Sequence, residues 1–169
     1  IFQPYYIVVV HTQTGNEDYK EQLSFLEEVM NETTHYFQEQ GKNILIGQQA
    51  NDLVLLFLDS EMKKDGIRAI CSGYLQSLSL KYRTVSFRLG ISMKSEEIEN
   101  VSDRYHEALT SMRMTTETNN IVEFQSLGIL GSLINSNNEK EIQRIAMYTL
   151  RPLCDDLEGH KNLEKIKTL

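Results

Sequence analysis

Four polar side chains stand where apolar runs stop: His11, directly after Tyr5–Val10, and Gln49, Asn51 and Asp52, at a break between two further runs. An imidazole can carry a proton or bind a transition metal, and a carboxylate can bind a hard cation. Two-ion magnesium chemistry on phosphates asks for more, because each ion needs clustered carboxylate oxygens. No carboxylate appears between the strand end at Val10 and Glu17, and imidazole is a poor magnesium ligand. A lone Asp52 cannot hold two such ions, so neither a metal nor a cofactor is expected. With no partner ligand visible, His11 reads as structural.

Other spacings carry less. Asp103 and His106 stand three apart and His35 and Glu39 four apart, but a zinc site needs three or four convergent ligands. A stripe of Tyr105 and Leu109 takes the buried side of its helix, which leaves His106 in solvent. Cys71 lies within an apolar stripe and reads as a small hydrophobe, and Cys154 is too remote from it in sequence to suggest a metal-ligand spacing. The acidic run Ser95–Asn100 reads as a helix start with Ser95 as N-cap and acids in the first turn. The chain contains no glycine-rich phosphate loop, no nucleophile elbow and no aromatic-basic interleave for single strands.

The elements that must position these residues follow from periodicity. "YYIVVV" is a continuous β-branched and aromatic run, the pattern of a central strand covered on both faces. Tyr19, Leu23, Leu26, Met30, Thr33 and Phe37 recur in steps of three and four, which predicts a helix that Gly41 closes. "NILIG" and "LVLLFL" form a hairpin around Ala50, Asn51 and Asp52. Ile67, Ile70, Cys71, Tyr74, Leu75 and Leu78 stripe a second helix. Val85, Phe87, Leu89 and Ile91 alternate with polar or small residues as a half-buried strand. Ile98, Val101, Tyr105, Ala108, Leu109 and Met112 mark a third helix before the strand "IVEF". The order β-α-β-β-α-β-α-β predicts an α+β fold: a ferredoxin-like split βαβ core with an added helix and strand. Beyond it, Ile142, Ile145, Ala146 and Leu150 stripe a helix that Pro152 interrupts, and Leu163, Ile166 and Leu169 give a further helix an apolar edge.

Composition bounds the function. A chain of 169 residues with 40% hydrophobic content can bury one core, which favours one main domain. Its 17 Lys and Arg against 24 Asp and Glu give a net charge of −7, so a polyanion meets net repulsion, and the basic residues do not cluster. No membrane span and no signal segment is present, and two distant cysteines suit a reducing cytoplasm.

The strand and helix order, with the hairpin second, resembles the catalytic palm of nucleotidyl cyclases. In diguanylate cyclases that hairpin carries Gly-Gly-Asp-Glu-Phe, where this chain reads Gln49, Ala50, Asn51, Asp52, Leu53. Those enzymes end the first strand with a metal-binding aspartate, and here His11 follows Val10. The resemblance therefore implies a retained shape and a lost active site. "FRLGIS", "YHEALTSMRM", "IVEFQSLGILGSLI" and the closing "YTLRPLCDDLEGHKNLEKIKTL" resemble more narrowly the GGDEF-like domain of bacterial purine-catabolism and sugar-diacid regulators, the PucR/CdaR type. Tyr105, Glu107, Ala108, Phe124, Leu127, Gly128, Leu150, Pro152, Leu153, Asp155 and Asp156 sit where that pattern expects them.

By that resemblance, residues 1–125 form a degenerate GGDEF-like domain and 126–169 a helical connector leading to a helix-turn-helix domain outside this chain. The chain starts without methionine, as a piece of a longer regulator would. The expected role is a non-catalytic regulatory or dimerisation domain of a cytoplasmic transcription regulator, with a homodimer as partner and DNA bound only through the missing reader. The alternative is a module that holds a small effector in the relict cleft at His11, Gln49, Asn51 and Asp52.

Overall fold

The computed structural model describes residues 3–15, 18–62 and 66–128, which all belong to one compact unit, Ile1–Gly131. Strand β1 (Tyr5–Gln13) leads to helix α1 (Tyr19–Glu39), the hairpin β2 (Ile44–Gln49) and β3 (Asp52–Leu58), helix α2 (Ile67–Lys81), β4 (Ser86–Ile91), α3 (Val101–Arg113) and β5 (Ile121–Glu123). The sheet order is β2-β3-β1-β4-β5. Every neighbouring pair is antiparallel except β4–β5, which the crossover through α3 makes parallel. This is the α+β ferredoxin-like core anticipated from the element order, with α3 and β5 added. The expected tail stripes, from Ile142 to Leu169, and Cys154 lie outside the described residues. No helix among the described residues is long and apolar enough to cross a membrane.

β1 occupies the middle because its side chains are apolar on both faces. Val8 and Val10 join the core beneath α1 and α2, while Tyr5, Ile7 and Val9 join Ala108 and Met112 of α3 on the opposite face. Alternation along a strand makes that division unavoidable. Leu53, Leu55 and Phe57 of β3 and Phe87, Leu89 and Ile91 of β4 extend the first core. Phe37, Phe57 and Tyr74 close it with ring pairs at 5.0 and 5.2 Å.

α1 begins at Asp18, whose carboxylate accepts from Lys20 N at 2.9 Å. It ends as expected at Gly41, which adopts φ 65° while its N–H reaches Gln38 O at 2.9 Å. The buried row is Leu26, Val29, Thr33 and Phe37, so the periodic reading is right at Leu26, Thr33 and Phe37, has Val29 in place of the partly buried Met30, and is wrong at Tyr19, which is 63% exposed in a first turn that buries nothing. Thr33 lies inside because its hydroxyl donates to Val29 O at 2.7 Å and accepts from the Tyr74 hydroxyl at 2.6 Å, joining α1 to α2.

The other helical face departs further from expectation. β4 is half-buried only in its first part, where Ser86 and Arg88 are partly covered; Gly90 is buried because α3 lies directly on it, and Ser92, just past the strand, is buried as well. A Cβ on Gly90 would stand 2.1 Å from Ala108 O and 2.2 Å from Met112 N, so only glycine admits the helix at this distance. Close approach favours small residues, and α3 buries Glu107, Ala108, Thr110, Ser111 and Met112, while Val101, Tyr105 and Leu109 are only partly covered. Ile98, expected in the stripe, is exposed in the short 3-10 turn that precedes α3. Ser95 is not the N-cap of α3. It bridges back to β1, donating Ser95 N–H to Tyr5 O at 3.0 Å and accepting from Tyr5 N–H at 2.9 Å, and its hydroxyl turns the chain by bonding Glu97.

Candidate functional site

The register of β1 against its two neighbours decides what meets at its end. β2 and β3 pair Gln49 with Asp52 across a two-residue turn, and β3 in turn sets Asp52 opposite His11. Directly opposed residues of an antiparallel pair share a face. His11 Nδ1 therefore lies 2.7 Å from Asp52 Oδ1, with the imidazole N–H donating to the carboxylate. The side chains are 35% and 14% exposed. On its other side His11 faces Arg88 of β4, so Asp52, His11 and Arg88 form one row across three strands. Arg88 Nε is buried and has no hydrogen-bond partner among the described residues.

The turn holds its shape at a cost. Ala50 takes φ 52°, a left-handed conformation that glycine adopts without strain, and Asn51 does not. That is the pattern of a II′ hairpin, whose first central position favours glycine.

Beside the row lies a cleft of about 350 Å³, lined by His11, Thr12, Gln13, Thr14, Gly15, Gln22, Leu26 and Asn51. Hydroxyls and amides dominate the wall, so it offers neutral donors and acceptors rather than fixed charge. The N-terminus of α1, an anion site in many folds, is already capped by the Asp18 carboxylate. A pair of magnesium ions does not fit: the single turn carboxylate is engaged by an imidazole, and among the described residues no group of three or more His, Cys, Asp or Glu is arranged to hold a metal.

Of the four residues singled out in the sequence, His11 and Asn51 line the cleft. Asp52 stands behind them, bonded to His11, and Gln49 is exposed across the hairpin and outside the cleft wall. His11, read from the sequence as structural for want of a second metal ligand, has Asp52 as its hydrogen-bond partner. The residues missed are Thr12 to Gly15, Gln22 and Leu26. A run of polar residues ending in glycine after a buried strand was the only available signal for the first four.

The remaining candidates separate cleanly. His35 and Glu39 pair at 3.1 Å in full exposure, and Asp103 and His106 are exposed. Cys71 is completely buried, and burial pushes its thiol well above the usual range. Tyr105 is raised by burial first and by the charge of Asp52 second, with Arg113 opposing.

Glu107 is a buried carboxylate that sequence periodicity did not place inside. It accepts from Met93 N–H at 2.9 Å and pairs with Arg104 Nη2 at 3.0 Å, tying α3 to the end of β4. Burial holds its carboxyl above the usual range, with Asp103 adding to that shift and the Met93 N–H and Arg104 opposing it.

Set against known proteins, no curated protein and no solved structure matches the chain. Residues 1–114 match the family described as GGDEF-like domain, a span that takes in β1 through α3 and therefore the whole His11–Asp52 row. With two thirds of its length matched in this way, the chain belongs to the GGDEF-like domain family.

Proposed function

We propose that the chain is a non-catalytic regulatory and dimerisation domain of a bacterial, cytoplasmic transcription regulator of the PucR/CdaR type, passing a signal toward a DNA-binding domain elsewhere in the protein. The observation that carries this reading is the bond from His11 Nδ1 to Asp52 Oδ1 at 2.7 Å. An imidazole stands where a cyclase would present a carboxylate, and it occupies the one acidic side chain of the turn. The buried place of Glu107 and Ala108 adds support, because these residues of the "YHEALTSMRM" stretch then serve packing between α3 and β4 rather than chemistry. Incubation with GTP and either Mg²⁺ or Mn²⁺ should yield no cyclic dinucleotide by chromatography. Metal-dependent turnover that disappears in Asp52→Ala overturns the reading.

A second reading is favoured by the cleft itself. Its volume lies at the low end of ligand pockets, and its wall of Thr12, Gln13, Thr14, Gln22 and Asn51 suits a small polar effector held without turnover. A ligand that binds the native state raises the thermal midpoint by mass action. Nucleotides, purine catabolites and sugar acids are the compounds to screen, and a shift abolished by Asn51→Ala assigns the site.

A further inference from the structure

We propose that β2 is a self-association edge, through which two copies of this chain join their sheets in antiparallel register. The inference rests on the dimerisation reading above and names the surface that performs it. Among the described residues β2 has a strand on one side only, so one row of its backbone N–H and C=O groups faces outward. The two-residue hairpin closes on Gln49 and Asp52 as a hydrogen-bonded pair, and alternation then turns the backbone of Ile44, Ile46 and Gln48 outward.

Exposed edges are ordinarily guarded by charge, proline or a bulge. This one has none of these: from Asn43 to Asn51 there is no ionisable side chain and no proline, and the register with β3 runs without interruption. The opposite edge is different. β5 is three residues long, and its Glu123 is engaged by Arg68. β2 is also held in place for docking, since Lys42 Nζ donates to Glu61 O at 2.7 Å and Asn43 N–H to Glu61 Oε2 at 3.2 Å.

A second copy is the occupant that this surface fits. Each molecule carries a net charge of −7, and an uncharged strand is where two such molecules meet without like charges opposed. A two-fold axis normal to the sheet gives an isologous contact and keeps each face continuous. Residues of equal parity then pair, so Leu45 meets Leu45 or Gly47 of the other copy. Leu45 is 70% exposed and lies opposite Leu56, beside partly buried Val54 and Leu58, so pairing extends an apolar strip already begun on β3. One six-residue strand buries less than the roughly 1,200 Å² of a standard interface, which makes the contact reversible.

Sedimentation velocity of the full chain over a concentration series should show a monomer–dimer equilibrium. Leu45→Lys places a charge on an exposed position, and Gln48→Pro deletes an outward N–H. Each should weaken association at least about tenfold with the thermal midpoint of the monomer unchanged. Leu80→Lys, a comparably exposed position on α2, should leave association as it is. Amide exchange at Ile46 and Gln48 should slow as concentration rises. A dimer that survives both β2 variants, or that Leu80→Lys weakens equally, overturns the β2 assignment and leaves the dimerisation reading standing. A chain that stays monomeric throughout overturns both. Protection of those amides that does not change with concentration shows a different occupant and overturns the proposal.

Discussion

Two positions at the His11 end of the sheet carry measurable consequences of single side chains. Ala50 holds φ 52°, which costs an L-residue about 1 to 2 kcal/mol, while the extra freedom of glycine in the unfolded chain costs roughly 0.4 to 1 kcal/mol. The difference predicts that Ala50→Gly stabilises the domain by about 0.5 to 1 kcal/mol in urea denaturation. His11→Asp is the more diagnostic change. It replaces a charge-assisted hydrogen bond to Asp52 with a second carboxylate, so stability in metal-free buffer should fall by about 1 to 2 kcal/mol. Two adjacent carboxylates are also the beginning of a hard-cation site. Millimolar Mn²⁺ should therefore raise the thermal midpoint of this variant and leave that of the native chain unmoved.

Between elements, the contact most sensitive to a single methyl group is α3 on β4. With Ala108 O at 2.1 Å from a Cβ at position 90, Gly90→Ala cannot be accommodated by a flexible side chain, because the clash is with backbone. It should cost about 3 kcal/mol or more, or detach α3, and near-ultraviolet dichroism with urea titration distinguishes the two. Glu107 fastens the same helix. Its folded carboxyl is raised above the ordinary value, so the folded state holds the proton more tightly than the unfolded chain does. The contribution of this group to stability is fully present below the ordinary carboxyl pKa of about 4 and is lost as pH rises through the raised value. Glu107→Gln removes the titration. The stability of the native chain minus that of the variant should then decline from acid toward neutral pH, and a difference that grows instead contradicts the assignment.

For the whole molecule, 17 basic against 24 acidic residues make duplex DNA an unfavourable partner for this chain, and a gel shift at physiological salt should show no sequence-selective complex. That charge, the order of elements along the chain and most of the core were legible in the residues alone. The run Tyr5–Val10 could only be a strand covered on both sides, and Gly41 could only be a helix stop, because burial period and backbone conformation are properties each segment must satisfy locally. What stood outside the sequence was everything that depends on what lies opposite. His11 and Asp52 are 41 residues apart, and a one-residue slip in the β1–β3 register would have put them on different faces. Glu107 and Ser111 are polar residues that periodicity assigns to solvent, yet they are buried because a glycine on another strand lets the helix backbone descend onto the sheet. Ser95 looked like a helix cap and became a bridge to Tyr5. Hydrophobic pattern specifies which face of an element turns inward; register and interelement distance, set only when the sheet assembles, decide which polar groups meet there and hence what the site can do.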